Sequence, residues 1–164
     1  MSPDRMSAEG EGVVSEISEV AGFQVALDRA YDPAGHFWVS MLGPDRARVG
    51  LDALGVETSG TIAQLAFLPV GEQLNRGESF GSLEAAKFVG PLVSPVSGTV
   101  VGTNDAVVAD PALVERDPYG TGWLIEVTVA DRGEMGDLIS GADVVPVWFA
   151  GEVEDYRLKG VLAE

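Results

Sequence analysis

The residue best suited to covalent chemistry is Lys87, which lies in the segment Gly81–Gly90 (GSLEAAKFVG). This segment predicts two short strands that meet at a tip, with the lysine on the tip and a glycine at each end. The 164 residues include only two lysines, and the other is Lys159. A general solubilising surface would use more lysine. We therefore interpret Lys87 as a covalent attachment point.

A reactive lysine can serve two kinds of chemistry, and these need opposite surroundings. A Schiff-base lysine requires burial that lowers the pKa of its amine, and a tip does not provide burial. A carrier lysine requires an exposed amine on a rigid backbone, so that a long arm swings from a fixed point. A tight hairpin provides both. The alternative is that Lys87 is an ordinary exposed lysine.

Three other patterns are weaker candidates for chemistry. The run Gly77–Gly81 matches the G-x-S-x-G elbow of hydrolases, but that elbow needs a following helix and a later histidine. Strand residues follow it, and the single histidine, His36, precedes it. His36 itself is a candidate general base, although a lone histidine beside Phe37 and Trp38 is more often a packed, hydrogen-bonded residue. The chain has too few nitrogen and sulfur ligands for a zinc site.

The net charge makes some classes of partner unfavourable. The chain has 10 basic and 26 acidic residues, which gives a net charge of −16. Such a surface repels phosphate backbones and anionic membranes, so we expect neither nucleic acid nor a membrane as partner. Partners with basic docking faces fit this charge. The alternative is that the charge only maintains solubility.

Cysteine usage and the N-terminus indicate the compartment. The sequence has no cysteine, which excludes disulfides, thiolate metal sites and cysteine nucleophiles. It has no apolar run long enough to cross a membrane. The acidic N-terminus resembles neither a secretory signal nor a transit peptide. We therefore expect a cytoplasmic protein.

The elements that position the tip are predicted to be short strands. Twenty-one glycines and nine prolines favour strands and tight turns over a helical bundle. The hairpin closed by Gly43-Pro44-Asp45 is the clearest. The sequence SGTI at Ser59–Ile62 recurs as SGTV at Ser97–Val100, which suggests two related strand sets in a flattened β sandwich or barrel. The predicted strands are 23–27, 36–42, 46–51, 60–68, 79–84 and 123–129.

The remaining segments predict loops and short helices. Residues 29–35 and 73–77 read as loops, 52–57 as a short helix or turn, and 104–114 as a loop with one helical turn. A helix is predicted near 134–139, followed by an apolar run at 144–149. We divide the chain into an acidic lead at 1–22, a domain at 23–130, and a C-terminal helix and extension at 131–164 packing on it. The lead is either disordered or one helix, on the spacing of Val13, Val14, Ile17 and Val20.

Several short motifs, in this order and at this spacing, resemble the glycine cleavage H-protein family, lipoyl carriers related to the lipoyl domains of 2-oxoacid dehydrogenases. The lysine motif is Leu83–Lys87 (LEAAK), followed by Ser94–Val101 (SPVSGTVV) and Asn104. The resemblance runs from about His36 to Val129. The other matching motifs are HFWV at 36–39, RVGL at 48–51, GTI at 60–62, LPVG at 68–71, DPALV at 110–114 and DPYGTGWL at 117–124.

The resemblance implies a mainly β fold, the lipoyl-domain-like barrel-sandwich hybrid with short peripheral helices. It implies a carrier that is not an enzyme, with lipoate in amide linkage on Lys87 of the 23–130 lipoyl-carrier domain. Glu84 is implied to help other enzymes recognise the tip. The implied partners are a pyridoxal-phosphate glycine decarboxylase, a folate-dependent aminomethyltransferase, a flavin dihydrolipoyl dehydrogenase and a lipoyl-attaching enzyme. The carrier would shuttle an aminomethyl group between them.

The chain departs from the family pattern near the lysine. Phe37 stands where an acidic residue is common, Ala85 where serine is common, and the bulky Phe88 where a small residue is common. Two alternatives therefore stay open. One is an H-like lipoyl carrier in another pathway, such as lipoyl relay or sulfur-compound oxidation; the other is an unmodified scaffold that binds partners through its acidic face. Biotin carriage is disfavoured, because biotinyl lysines are usually flanked by methionines, and here Ala86 and Phe88 flank Lys87.

Overall fold

The computed structural model describes residues 16–162, and most of its elements are short strands. The strands are β1 Ile17–Val20, β2 Phe23–Ala26, β3 Ala30–Asp32, β4 Phe37–Met41, β5 Arg46–Leu51, β6 Ile62–Phe67, β7 Gln73–Leu74, β8 Ser79–Ala85, β9 Val89–Val93, β10 Gly98–Thr103 and β11 Ile125–Val129. The helices are α1 Ala53–Ser59, α2 Asp105–Ala109, α3 Ala112–Arg116 and α4 Val144–Leu158, with a 3-10 helix at Arg132–Asp137.

The larger sheet is antiparallel and has the strand order β3-β4-β5-β11-β10-β7. Its β4–β5 hairpin pairs Phe37 with Leu51 and Val39 with Val49. These four side chains are buried, since alternate residues of a strand point to the same face. The turn chemistry of Gly43-Pro44-Asp45 closes the hairpin, and the predicted hairpin is confirmed.

The second sheet of the sandwich is antiparallel and has the strand order β9-β8-β6, while β1 and β2 form a separate two-stranded sheet. On its central strand, Leu83 lies opposite Gly90 of β9 and Leu65 of β6. The inward side chains of both sheets form one core, in which Phe80 packs edge-to-face on Phe37. Within the described residues the two sheets form a sandwich and do not close into a barrel. The predicted mainly β fold of this class is confirmed.

A second apolar cluster fastens the C-terminal helix to the larger sheet. Helix α4 contributes Val145, Phe149 and Val153, which are fully buried. They pack with Tyr31, Trp38 and the β1–β2 hairpin. Because all three helix residues are buried in this cluster, α4 is packed firmly against the rest of the fold.

The structure adds short elements that the sequence did not predict. The predicted loop 29–35 contains β3, which pairs with β4, and the predicted loop 73–77 contains β7, which pairs with β10. The segment 104–114 forms two helices, α2 and α3, where one turn was predicted. Such short elements have too few residues to show a periodic pattern, and their neighbours in the fold decide their conformation.

The two ends of the described chain also differ from the predicted elements. Ile17 and Val20 lie in β1, which pairs with β2, and do not form a helix. Residues 1–15 of the predicted lead lie outside the described residues. The helix predicted near 134–139 is the 3-10 helix at Arg132–Asp137, and the apolar run at 144–149 begins α4.

The close approach of Trp38 to Gly50 makes a stability prediction. Trp38 lies opposite Gly50 in the β4–β5 pair and is fully buried. A Cβ on Gly50 would lie 2.7 Å from Nε1 of Trp38, so the indole would have to move. We expect Gly50→Ala to lower the free energy of unfolding, measured by urea denaturation, by about 2 kcal/mol.

Gly43→Ala is the matched control, because a Cβ on Gly43 meets nothing within 4 Å. We expect it to change the free energy of unfolding by no more than about 0.5 kcal/mol. Equal losses in the two variants would contradict the steric explanation.

Candidate functional site

Lys87 lies at the turn of the β8–β9 hairpin. Ala85 and Phe88 close the turn through the hydrogen bond from the Ala85 N–H to the Phe88 carbonyl, 2.8 Å. Ala86 and Lys87 form the two-residue loop between them, and both are exposed. The structure therefore places the lysine on a tight tip, in the position that the segment predicts.

Two further backbone hydrogen bonds hold this tip against the body of the domain. The N–H of Lys87 donates to the carbonyl of Ser59 at 2.8 Å, and the N–H of Ala86 donates to the carbonyl of Thr61 at 2.9 Å. Ser59 ends α1 and Thr61 precedes β6. Because both loop residues are tied to a different part of the fold, the tip is more rigid than a hairpin turn in solvent.

The amine of Lys87 and the carboxylate of Glu84 are both available to other molecules. Within residues 16–162, neither side chain forms a hydrogen bond or an ion pair with another described residue. Glu84 is exposed on β8, opposite Val89 of β9 and Gln64 of β6. Lys159, in contrast, lies 2.9 Å from Asp155. Among the described residues, Lys87 is thus the lysine whose amine has no partner.

Apolar side chains surround the lysine on the β9 side. Phe88 is 42% exposed and Val89 is 74% exposed. A Cβ on Gly90 would lie 2.9 Å from the Phe88 ring, so the ring lies across this glycine. The exposed apolar surface therefore begins at the residue directly after Lys87.

A groove of about 450 Å³ opens beside the lysine. Its apolar wall includes Phe37, Leu83 and Phe88. Its polar groups come from residues far apart in sequence. These residues are Asp32, His36, Thr58, Ser59, Lys87 and Tyr156. A groove of this size and mixed lining suits a small, mostly apolar group with a polar end.

His36 lies in this groove wall and joins two carboxylates. Its Nδ1 is 2.7 Å from Oδ2 of Asp52, and its Nε2 is 2.8 Å from Oε1 of Glu152 on α4. The ring stacks on Trp148 with 5.4 Å between centroids. When His36 is protonated, both ring nitrogens donate, one to each of these two side chains. His36 is therefore packed and hydrogen-bonded, as expected for a lone histidine beside Phe37 and Trp38.

The same network fixes the beginning of α1. Oδ1 of Asp52 accepts the N–H of Gly55 at 2.9 Å, which caps the helix. Sequence reasoning missed Asp52 and Glu152, because they are 16 and 116 positions from His36. One sequence signal could have pointed to Asp52: aspartate is a preferred N-cap residue, and Asp52 stands at the start of the predicted short helix.

Burial and charge act in opposite directions on these groups. Burial, the largest influence, lowers the pKa of His36, but the hydrogen bonds and charges of Asp52 and Glu152 together raise it above the ordinary value. Burial raises the pKa of Asp52, although His36 and the Gly55 N–H oppose this. Both shifts mean that the folded protein holds protons of this cluster more tightly than the unfolded chain.

The other patterns considered from the sequence do not form sites among the described residues. Ser79 begins β8 and donates to the carbonyl of Gly81, 2.8 Å, so it does not lie on a strand-to-helix elbow. Within residues 16–162, no group of three or more histidine, aspartate or glutamate side chains is arranged to hold a metal ion. In the same range, no helix has the length and apolarity of a membrane span.

Comparisons with known proteins converge on one family. The family model described as Glycine cleavage H-protein matches residues 29–148. A glycine cleavage system H protein of Mycobacterium avium is 41% identical over 107 residues, which cover 65% of this chain and 81% of that protein. One of Gloeobacter violaceus is 42% identical over 100 residues, which cover 60% and 78%. The crystal structure of a glycine cleavage system H protein from Mycobacterium marinum has a TM-score of 0.61 at 35% identity, covering 69% of this chain and 97% of that chain.

The His36 cluster predicts a pH dependence of stability. A group that binds its proton more tightly in the folded state contributes stability below its unfolded pKa, about 6.5 for histidine, and loses it as the pH rises through the folded pKa. We expect Glu152→Gln to lower the free energy of unfolding by about 1 kcal/mol near pH 6 and by less near pH 9. Urea denaturation across this pH range measures the difference.

Glu154→Gln is the matched control, since Glu154 is exposed on the same helix. We expect its effect to be small and independent of pH. If the Glu152→Gln difference stays constant from about pH 6 to about pH 9, the proton of His36 does not contribute as described.

Proposed function

The chain belongs to the glycine cleavage H-protein family, and we propose that it carries lipoate on Lys87 and shuttles an aminomethyl group between the enzymes of the glycine cleavage system. By its family it is a non-catalytic carrier component of that system. The observation that carries the proposal is the exposed Lys87, whose amine has no partner within residues 16–162, on a tip whose two loop N–H groups donate to Ser59 and Thr61. A carrier needs this combination of a reachable amine and a fixed backbone.

The residues around the lysine fit a lipoyl group. When bound, lipoate supplies a disulfide–dithiol couple that accepts a transferred group and stores two electrons. The groove beside Lys87 has apolar walls at Phe37, Leu83 and Phe88, which suit the hydrocarbon part of an arm. Asp32 and Tyr156 lie at its polar part. These residues can shelter the end of an arm from water, while the tip sets where the arm begins.

The proposed partners follow from this function. They are the glycine decarboxylase, the aminomethyltransferase, the dihydrolipoyl dehydrogenase and the lipoyl-attaching enzyme. The net charge of −16 fits partner faces with basic residues. Glu84 lies three residues before the lysine, is exposed and has no ion-pair partner in the described part of the chain, and we propose that these enzymes recognise it. We also propose that the protein is cytoplasmic. In this proposal residues 23–130 form the carrier domain, with the lead at 1–22 before it and the extension at 131–164 after it.

One observation favours a second function, an H-like lipoyl carrier in another pathway. Phe88 and Val89 expose apolar surface directly after the lysine, where an incoming enzyme must make contact. A different set of partners would account for this surface. Failure of the lipoylated protein to accept an aminomethyl group from a glycine decarboxylase would favour this second function.

The carrier proposal is tested on the two lysines. We expect the intact mass of the protein, made in cells with active lipoylation, to show one lipoyl adduct that peptide mapping places on Lys87. Lys87→Arg should abolish the adduct, since a guanidinium stays protonated and does not acylate under these conditions. Lys159→Arg, the matched control at an exposed lysine, should keep it.

An adduct on Lys159, or none in the wild type, would contradict the carrier role of Lys87 and favour an unmodified binding scaffold. The same three proteins, assayed with the glycine decarboxylase, separate the two carrier functions.

Glu84 makes a separate prediction about recognition. Glu84→Gln keeps the size of the side chain and removes its charge, and its neighbours make no hydrogen bond to it that could be lost. We expect kcat/KM for lipoate attachment to fall about tenfold, the effect of losing roughly one charged hydrogen bond to an enzyme. Stability should not change.

The control is Glu72→Gln, an exposed glutamate on the loop before β7. If Glu84→Gln and Glu72→Gln are modified at the wild-type rate, Glu84 has no role in recognition.

A further inference from the structure

The tip of the β8–β9 hairpin rests on three residues that sequence reasoning did not connect with the lysine. This segment, Ser59–Gly60–Thr61, links α1 to β6, and we call it the seat. Its two outer carbonyls accept the N–H groups of Lys87 and Ala86 at 2.8 and 2.9 Å. The seat therefore contacts both residues of the loop that carries the amine.

The middle residue of the seat lies against the side chain of the lysine. A Cβ on Gly60 would lie 3.1 Å from Cε and 3.3 Å from Cγ of Lys87, and 3.3 Å from Cβ of Ala86. The backbone of Gly60 has φ 78° and ψ −167°, a conformation that is essentially restricted to glycine. A side chain at Gly60 would therefore press on the methylene chain of Lys87, which would have to shift.

The seat is itself held in place from the other end of α1. The hydroxyl of Ser59 donates to the carbonyl of Gly55 at 2.8 Å, and Ser59 is buried. The beginning of α1 is fixed by Asp52, which binds His36. Thr58 and Ser59 line the same groove as Lys87. A fixed seat at the wall of the groove thus sets the direction in which the lysine chain leaves the tip.

We propose that Gly60 is a positioning residue for acylation of Lys87: it gives the lysine chain a surface to lie on and so aims the amine for the attaching enzyme. This inference rests on the proposed carrier function and extends it to a residue 27 positions away in sequence. In the reaction, Nζ of Lys87 attacks the carbonyl of an activated carboxylic acid, such as an acyl adenylate. The new bond is Nζ–C, the activating group leaves with the electron pair of its bond, and Nζ releases a proton to solvent.

The test compares three alanine variants of the full chain. Gly60→Ala adds a Cβ against Lys87. Gly71→Ala and Gly77→Ala are matched controls, because these glycines also have positive φ, 104° and 93°, but a Cβ on either meets nothing within 4 Å. The controls therefore share the positive φ that disfavours alanine and lack the contact with the lysine.

Two measurements are made on each variant. The first is kcat and KM for attachment of lipoate by a lipoyl-attaching enzyme, followed by intact mass. We expect Gly60→Ala to lower kcat about tenfold and to leave KM within about twofold, because a misdirected amine affects the reaction more than docking. The second is hydrogen exchange of the Lys87 and Ala86 amides by NMR on the unmodified protein, which should be about tenfold faster in Gly60→Ala. Both controls should match the wild type in both measurements.

Attachment kinetics for Gly60→Ala equal to those of the two controls would overturn the proposal. So would a uniform rise in exchange over the whole sheet, which would show a general loss of stability. If Gly60→Ala does not fold, Ala86→Pro replaces it: this change removes one N–H donor to the seat and leaves Gly60 intact. It should lower kcat and speed exchange at Lys87. Wild-type values for both would show that the seat does not position the tip, and the role of Gly60, which acts as part of the seat, would be overturned with it.

The exchange measurement separates this proposal from the carrier function. If the wild type is never lipoylated, the carrier function fails. Local exchange at Lys87 still reports whether Gly60 and the seat hold the tip. If the wild type is lipoylated and Gly60→Ala behaves as the controls do, only the positioning role fails.

Discussion

The arrangement around Lys87 depends on one buried carboxylate, that of Asp52. It is fully buried, and burying a charge is unfavourable unless hydrogen bonds compensate for it. Asp52 has these bonds, from the Gly55 N–H that begins α1 and from the His36 ring. Glu152 holds the other side of that ring. One carboxylate therefore connects the first turn of α1, the start of β4 and the C-terminal helix.

Helix α1 transmits this fixed position to the lysine. Its seven residues begin at the Asp52 cap and end at Ser59, whose carbonyl accepts the N–H of Lys87. The helix thus acts as a short spacer between the buried ionic cluster and the exposed tip. A carrier must combine a mobile arm with an immobile attachment point. The hydrogen bond between the end of α1 and the tip fixes the backbone of Lys87, while its amine stays in solvent.

The surface next to the lysine has a different character from the rest of the chain. The chain as a whole has a net charge of −16, yet Phe88 and Val89 expose apolar side chains beside the amine. Net charge favours the encounter with basic partner faces, whereas contacts at the tip decide which enzyme stays bound. Under the proposed function, the apolar residues next to Lys87 are therefore the part of this acidic surface that a partner enzyme contacts first.

The sequence alone determined the features that depend on neighbouring residues. These are the Gly43-Pro44-Asp45 hairpin, the strands on either side of the tip, the exposure of Lys87 and the mainly β fold. It did not predict the two-residue strand β7, or the partners of His36, which lie 16 and 116 positions away. Nor did it connect Gly60 with Lys87. Turns and the alternation of apolar and polar residues depend on adjacent residues, so the sequence shows them. Hydrogen bonds between distant segments form only once the sheets and helices have packed. The tertiary structure alone therefore decided how the lysine is held.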